Sequence, residues 1–278
     1  MTWFAETEHQ GPSSLGGLGQ TDEKLSERHG PPTPSPAVAA VFGDSLPLMR
    51  RYAEWLADAG VVRGLLGPRE VPRLWVRHLV NCASVASLLH TTGSAAAVGV
   101  DAHPQGEKIL VEDIGSGAGL PGLVIAVLRP DVQVRLVEPL LRRVEFLAEV
   151  VADLKLGNVE VVRSRVEEYH VQPRVRYVTA RAVAPLGRLL EWSLPRLLPG
   201  GQLLAIKGES AVREVADAAE VLARWRVVSV DVLTMSLLED EGPVTIVRVV
   251  AGPGDASVGH RRPDYSIARA LSRQVRSP

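Results

Sequence analysis

Apolar runs of strand length alternate with segments of helical periodicity from residue 109 to residue 250. The first alternation turns through the glycine-rich stretch "VEDIGSGAGLPG", residues 111–122. Strands are read at 109–114, 132–137, 159–162, 175–180 and within "PGGQLLAIKG". Helices are read at 120–128, 141–155, 186–197 and 211–223. Two closing strands, 227–233 and 244–250, follow without a clear helix between them and suit an antiparallel hairpin at the sheet edge. This alternation predicts an α/β fold built on a mostly parallel, seven-stranded sheet.

Upstream of the sheet, Phe42, Leu46, Met49, Tyr52, Ala53 and Leu56 recur at helical spacing, with Asp44 or Ser45 as the cap. A second helix is expected to open at Pro72 and to bury Leu74, Leu79 and Val80. The first 36 or so residues are rich in Gly, Pro, Ser and charge, and bury too little apolar surface to offset chain entropy. The resulting organisation is a disordered segment at 1–40, a helical extension at 41–105, a ligand-binding sheet domain at 106–250 and a basic tail at 251–278. That tail holds Arg261, Arg262, Arg269, Arg273 and Arg276.

The 278 residues carry a net charge of −1, so the chain is not a polycation that coats nucleic acid; an RNA site has to come from local arginine clusters. The single cysteine, Cys82, excludes an internal disulfide framework and a thiolate zinc cluster, and no metal is expected. The N-terminus lacks a secretory pattern, and no apolar run approaches the roughly 20 residues that span a bilayer. A soluble, cytoplasmic monomer is the expectation.

In an open α/β sheet, ligands sit at the carboxyl ends of the strands, and the first strand-helix turn is the favoured place. Gly117, Gly119 and Gly122 spell a formal G-x-G-x-x-G, which alone leaves a dinucleotide site and a ligand-free turn both open. Two residues tilt the balance. Asp113, just before the first glycine, would repel a pyrophosphate and attract the ammonium and sulfonium of S-adenosylmethionine. Pro121 has no N–H to offer a phosphate. Asp113 also suits a plain turn-stabilising role. Glu138, ending the second strand in "VRLVEP", is placed to accept hydrogen bonds from ribose hydroxyls, which NAD and S-adenosylmethionine share.

The ordered set "RLWVRHLVN", "DIGSGAGLPG", "LVEPLLRRVEFL", "SRVEE", "TARAVAPL" and "LLAIKG" resembles the glucose-inhibited division protein B family over residues 42–250. That resemblance implies a Rossmann-like class I S-adenosylmethionine-dependent methyltransferase with an antiparallel edge strand and a helical N-terminal extension. It also implies methylation of guanine N7 in small-subunit 16S ribosomal RNA. By the same resemblance, Gly115 and Leu120 belong to the donor-binding loop, Glu138 takes the ribose, and Val166 and Glu167 frame the adenine; Gly117, in the same turn, is a further donor-binding candidate. Arg181 binds ligand at the mouth of the active site, and Lys207 is the lysine of the family's "KG" motif. Arg176 departs from an aspartate common in the family and reads as an edge change.

Guanine N7 is a lone-pair nucleophile, so no general base is required; Arg181 and Lys207 are the candidates for holding the base. An exposed or splayed guanine is needed, because the A-form major groove is too narrow for an enzyme. Arg69, Arg73 and Arg77, spaced four apart, with His78 beside them, and the pair Arg142–Arg143 are the candidate phosphate contacts, although each cluster also suits a merely solvated face. Trp55, Trp75 and Trp192 suit the core, and Cys82 a small buried apolar site. A nicotinamide oxidoreductase, a methyltransferase of another RNA or of a small molecule, and a non-catalytic RNA-binding module are the alternatives left open.

Overall fold

The computed structural model describes residues 30–90, 108–169, 174–239 and 241–252. The expectations for the first 29 residues, for the loop at 91–107 and for the basic tail lie outside the described residues.

The extension begins earlier than its expected boundary. α1, Pro36–Phe42, starts on a Ser35 cap whose hydroxyl accepts from the Val38 amide, and it buries Val38 and Phe42. α2, Leu46–Ala57, buries Met49, Tyr52, Ala53 and Leu56, a single stripe at helical spacing. A short α3, Ala59–Val62, follows. The expected second helix is a rod of three pitches: a 3-10 segment Pro68–Arg73, a π segment Leu74–Val80, and α4, Asn81–Ser87. Pro72 lies inside the tight first segment and does not open the rod.

The sheet then forms as the alternation predicts. Its elements are β1 (Leu110–Ile114), α5 (Gly122–Leu128), β2 (Gln133–Glu138), α6 (Leu141–Asp153), β3 (Val159–Arg163) and β4 (Val175–Arg181). They continue with α7 (Leu186–Ser193), β5 (Leu197–Lys207), α8 (Ala211–Asp217), α9 (Ala219–Arg224), β6 (Ser229–Met235) and β7 (Val244–Val250). Pro195 ends α7 sooner than expected and throws the chain into a 3-10 turn, Leu194–Arg196. The strand order is β3-β2-β1-β4-β5-β7-β6. β1 to β5 pair in parallel, and β7 runs antiparallel between β5 and β6, so the last two strands are the expected hairpin.

Alternate strand residues feed two cores. Val111, Tyr177, Leu204 and Ile246 pack with the helices of the extension, α5 and α6. Val178, Leu203, Ala205 and Val247 pack with α7, α8 and α9. The order reverses where β1 meets β4, the topological switch at which open sheets bind ligands. Arg176 stands at the opposite, amino end of β4, where the pairing with β5 is irregular. No helix among the described residues is long and apolar enough to cross a membrane.

Candidate active site

A cleft of about 620 Å³ opens at the carboxyl ends of β1, β2 and β4. Its walls are the glycine loop (Gly115, Gly117, Leu120), Glu138 to Leu140 with Arg143, the turn after β3 (Ser164 to Glu167), Arg181 to Val183, and Leu65, Leu66 and His78 of the extension. The switch point thus brings together Gly115, Gly117, Leu120, Glu138, Val166, Glu167 and Arg181.

The glycine loop spends its amides on the protein. Gly115 and Ser116 N–H donate to the Val137 carbonyl, and Gly117 N–H donates to Glu138 Oε2 at 3.0 Å. Gly119 and Leu120 N–H donate to the Ser116 carbonyl. Gly115 has φ +66°, and a Cβ there would meet Val183 at 2.9 Å. Gly117, with φ +58°, has nothing nearer than the Gly115 carbonyl at 3.8 Å, so the loop is bare on that side. At Gly122 a Cβ would strike Leu136 at 2.3 Å; this glycine serves the packing of α5 on the sheet.

Asp113 is not in the cleft. Its side chain is fully buried behind the loop, where Oδ2 accepts from Gly122 N–H at 3.1 Å and Oδ1 pairs with the Thr179 hydroxyl at 3.1 Å. Burial pushes its pKa up to about 7, against the hydrogen bonds that favour the anion. The expected contact with a cationic donor is therefore corrected: strand alternation turns Asp113 toward α5, and it stabilises the turn.

Glu138, unlike Asp113, stands at the cleft. It is buried at the cleft wall, with Oε2 accepting from Gly117 N–H and Oε1 from Leu140 N–H at 3.0 Å. Each carboxylate oxygen keeps further acceptor capacity. Arg143 Nη1 lies 3.5 Å from Oε2, and this arginine lines the cleft. Arg142, its neighbour, is exposed.

Arg181 is oriented by the extension. Its Nη2 lies 2.6 Å from His78 Nδ1, and its Nη1 donates to Cys82 Sγ at 3.6 Å. A guanidinium only donates, so His78 Nδ1 is the acceptor and Nε2 carries the proton, which it gives to Glu70 Oε2 at 2.8 Å. Burial and the adjacent Arg181 hold the His78 pKa below the ordinary imidazole range. The phosphate contact expected of His78 is corrected: the ring is buried and both nitrogens are engaged. Cys82 is buried as expected, and burial pushes its thiol up to about 11.

Lys207 faces a second hollow. Its Nζ donates to the Ala184 carbonyl at 2.7 Å and to Glu214 Oε2 at 2.8 Å, which ties the turn after β4 to α8. Arg73 and Arg77 are exposed; Arg77 lies 3.5 Å from Glu70 and also lines that hollow. In a 3-10 segment with three residues per turn, Arg69 is offset from Arg73, which breaks the expected stripe.

Sequence reasoning missed Arg196. Its buried guanidinium donates to Glu112 Oε1 at 2.7 Å and to the carbonyls of Val166 and Tyr169, so it holds the turn containing Val166 and Glu167. The signal was Glu112 itself, a carboxylate in the middle of a buried strand, which demands a partner. Glu70 and Tyr52 were missed too; Tyr52 donates to the Ala118 carbonyl at 2.8 Å and docks α2 on the glycine loop. Among the described residues no group of His, Cys, Asp and Glu is placed to hold a metal ion.

A family model described as rRNA small subunit methyltransferase G matches residues 45–240. A relative named ribosomal RNA small subunit methyltransferase G, from Thermobifida fusca, is 51% identical over 216 residues, covering 78% of this chain and 84% of its own length. One of the same name from Mycobacterium marinum is 48% identical over 229 residues, covering 81% and 92%. Another, from Salinispora tropica, is 52% identical over 201 residues, covering 70% and 76%. With a cleft at the sheet's switch point and matches of this extent, the chain belongs to the rRNA small subunit methyltransferase G family.

Proposed function

We propose that this chain transfers the methyl group of S-adenosylmethionine to N7 of a guanine in small-subunit 16S ribosomal RNA, in the cytoplasm. One observation carries the choice of donor. The loop amides that would cradle a pyrophosphate are already bonded to the protein, while Glu138 presents a buried carboxylate with acceptor capacity to spare. A nicotinamide dinucleotide would find the glycine-loop amides of residues 115, 116, 117, 119 and 120 already engaged, while the ribose hydroxyls that either ligand carries find an acceptor in Glu138.

Bound S-adenosylmethionine supplies a sulfonium-activated methyl, which a guanine N7 lone pair takes without prior loss of a proton. The chain's own task is then alignment and exclusion of water. Glu138 orients the ribose, the turn from Ser164 to Glu167 borders the adenine, and Arg181 borders both this cleft and the hollow beside it. His78, neutral and fixed between Glu70 and Arg181, keeps that guanidinium in place and moves no proton.

Calorimetry with S-adenosylmethionine and with NAD tests the donor, and labelled methyl transfer to 30S subunits lacking the modification tests the acceptor. Heat with S-adenosylmethionine alone and a new N7-methylguanine in 16S RNA are expected. Uptake of NAD, or no transfer to any ribosomal substrate, would refute the reading.

A further inference from the structure

We propose that the hollow beside the donor cleft seats the acceptor base, and that Glu209 selects guanine there by accepting hydrogen bonds from N1–H and the N2 amino group. This inference rests on the function proposed above. The hollow, about 210 Å³, is lined by Arg77, Asn81, Arg181, Lys207, Glu209 and Thr245 among others. Arg181 lines both it and the 620 Å³ cleft, so the two hollows adjoin at this residue.

The polarity of the lining matches guanine. Arg181 commits only Nη1 and Nη2 contacts to Cys82 and His78, which leaves N–H groups for an acceptor such as O6. The neighbouring carboxylates are consumed: Glu70 by His78 and Arg77, Glu214 by Lys207, Ser210 and the Leu186 amide. Glu209 is different. It lines the hollow, is exposed, and has no hydrogen bond or ion pair among the described residues, although three cationic side chains share the hollow with it.

The reaction itself requires recognition from that edge. The commonest arginine contact with guanine is bidentate to O6 and N7. Such a contact would occupy the nucleophile. A carboxylate on N1–H and the N2 amino group holds the opposite edge and leaves N7 open toward the cleft. Adenine, which has an acceptor at N1 and no amino group at C2, would be repelled by the same carboxylate. Enzymes that take a base out of its stack commonly read it on this edge.

The methylated guanine is first mapped in 30S subunits; Glu209→Gln and Glu209→Asp are then compared with the unaltered chain. Calorimetry with S-adenosylmethionine should be unchanged within about twofold, which also shows that the variants fold. The loss of charge-assisted bonds to Glu209 should lower kcat/KM of Glu209→Gln by about tenfold or more, with Glu209→Asp in between. Replacing the target guanine by inosine removes only the N2 amino group. It should cost the unaltered chain about tenfold and Glu209→Gln clearly less, since the glutamine keeps one acceptor oxygen but sets an NH2 against the other guanine donor. Equal kcat/KM for Glu209→Gln and the unaltered chain, or an inosine penalty equal in both, would overturn the inference while leaving the methyltransferase reading intact. An unaltered chain that binds no S-adenosylmethionine would overturn both.

Discussion

Asp113 sits behind the glycine loop and outside the cleft, with a task other than the expected one. Read as a charge before the glycines, it looked like an anchor for a cationic donor; the fold turns it inward against Gly122 and Thr179. Its carboxyl, pushed up to about 7 by burial, stays protonated in the folded chain at pH values where the unfolded chain has already lost the proton. The folded state therefore binds more protons between about pH 4 and pH 7, and this group's contribution to stability falls as pH rises through that window, by at most about 4 kcal/mol. Asp113→Asn keeps an oxygen for the Gly122 amide and gains an NH2 for the Thr179 hydroxyl. Urea melts at pH 5 and pH 7.5 should show the variant gaining on the unaltered chain as pH rises. Its affinity for S-adenosylmethionine should change by less than about threefold, because no contact is removed. A loss of about a hundredfold would restore Asp113 to the cleft and refute the correction. Glu138, by contrast, was legible from its place at a strand end, since any acidic group there faces the switch point.

At the scale of elements, the strands and helices that border the cleft were legible because period and glycine spacing are local signals. What holds them in position was not. Arg196 follows Pro195 in a turn that the apolar pattern merged into one helix, and its partners come from β1 and from the turn after β3. The pairing of residues 84 positions apart is a product of topology, visible beforehand only as the unexplained Glu112. Glu112 is held above the usual carboxylate range by burial, against the pull of Arg196 and Arg135, so the ion pair works as a fixture and contributes little net stability. Arg196→Lys keeps the charge but cannot reach Glu112 and two carbonyls at once with the same fork. We expect the variant to fold, with a melting temperature several degrees lower, and to bind S-adenosylmethionine about tenfold more weakly while its affinity for 30S subunits stays the same. Equal losses of both affinities would mean that Arg196 supports the fold alone and does not position the turn.

For the whole molecule, the helical extension matters more than its modest length suggests. It supplies Tyr52 to the glycine loop, His78 and Cys82 to Arg181, Glu70 to His78, and Arg77 to the hollow where the base is proposed to sit. The sequence marked its helices but not this docking, because the contacts join segments that only the sheet brings together. The same geometry decides where RNA can be gripped. With a net charge of −1 the chain has no global attraction for a polyanion, so affinity has to come from exposed arginines near the cleft. Arg73, on the 3-10 segment leading to His78, and Arg142, at the start of α6, are exposed and form no ion pair among the described residues. Arg73→Glu and Arg142→Glu should each weaken 30S binding, and each should flatten the dependence of log affinity on log salt by about one for the phosphate contact removed. Calorimetry with S-adenosylmethionine should be unaffected, since neither side chain lines the donor cleft. An unchanged salt slope in both variants would move the RNA path to another face of the molecule and leave the donor site where it is.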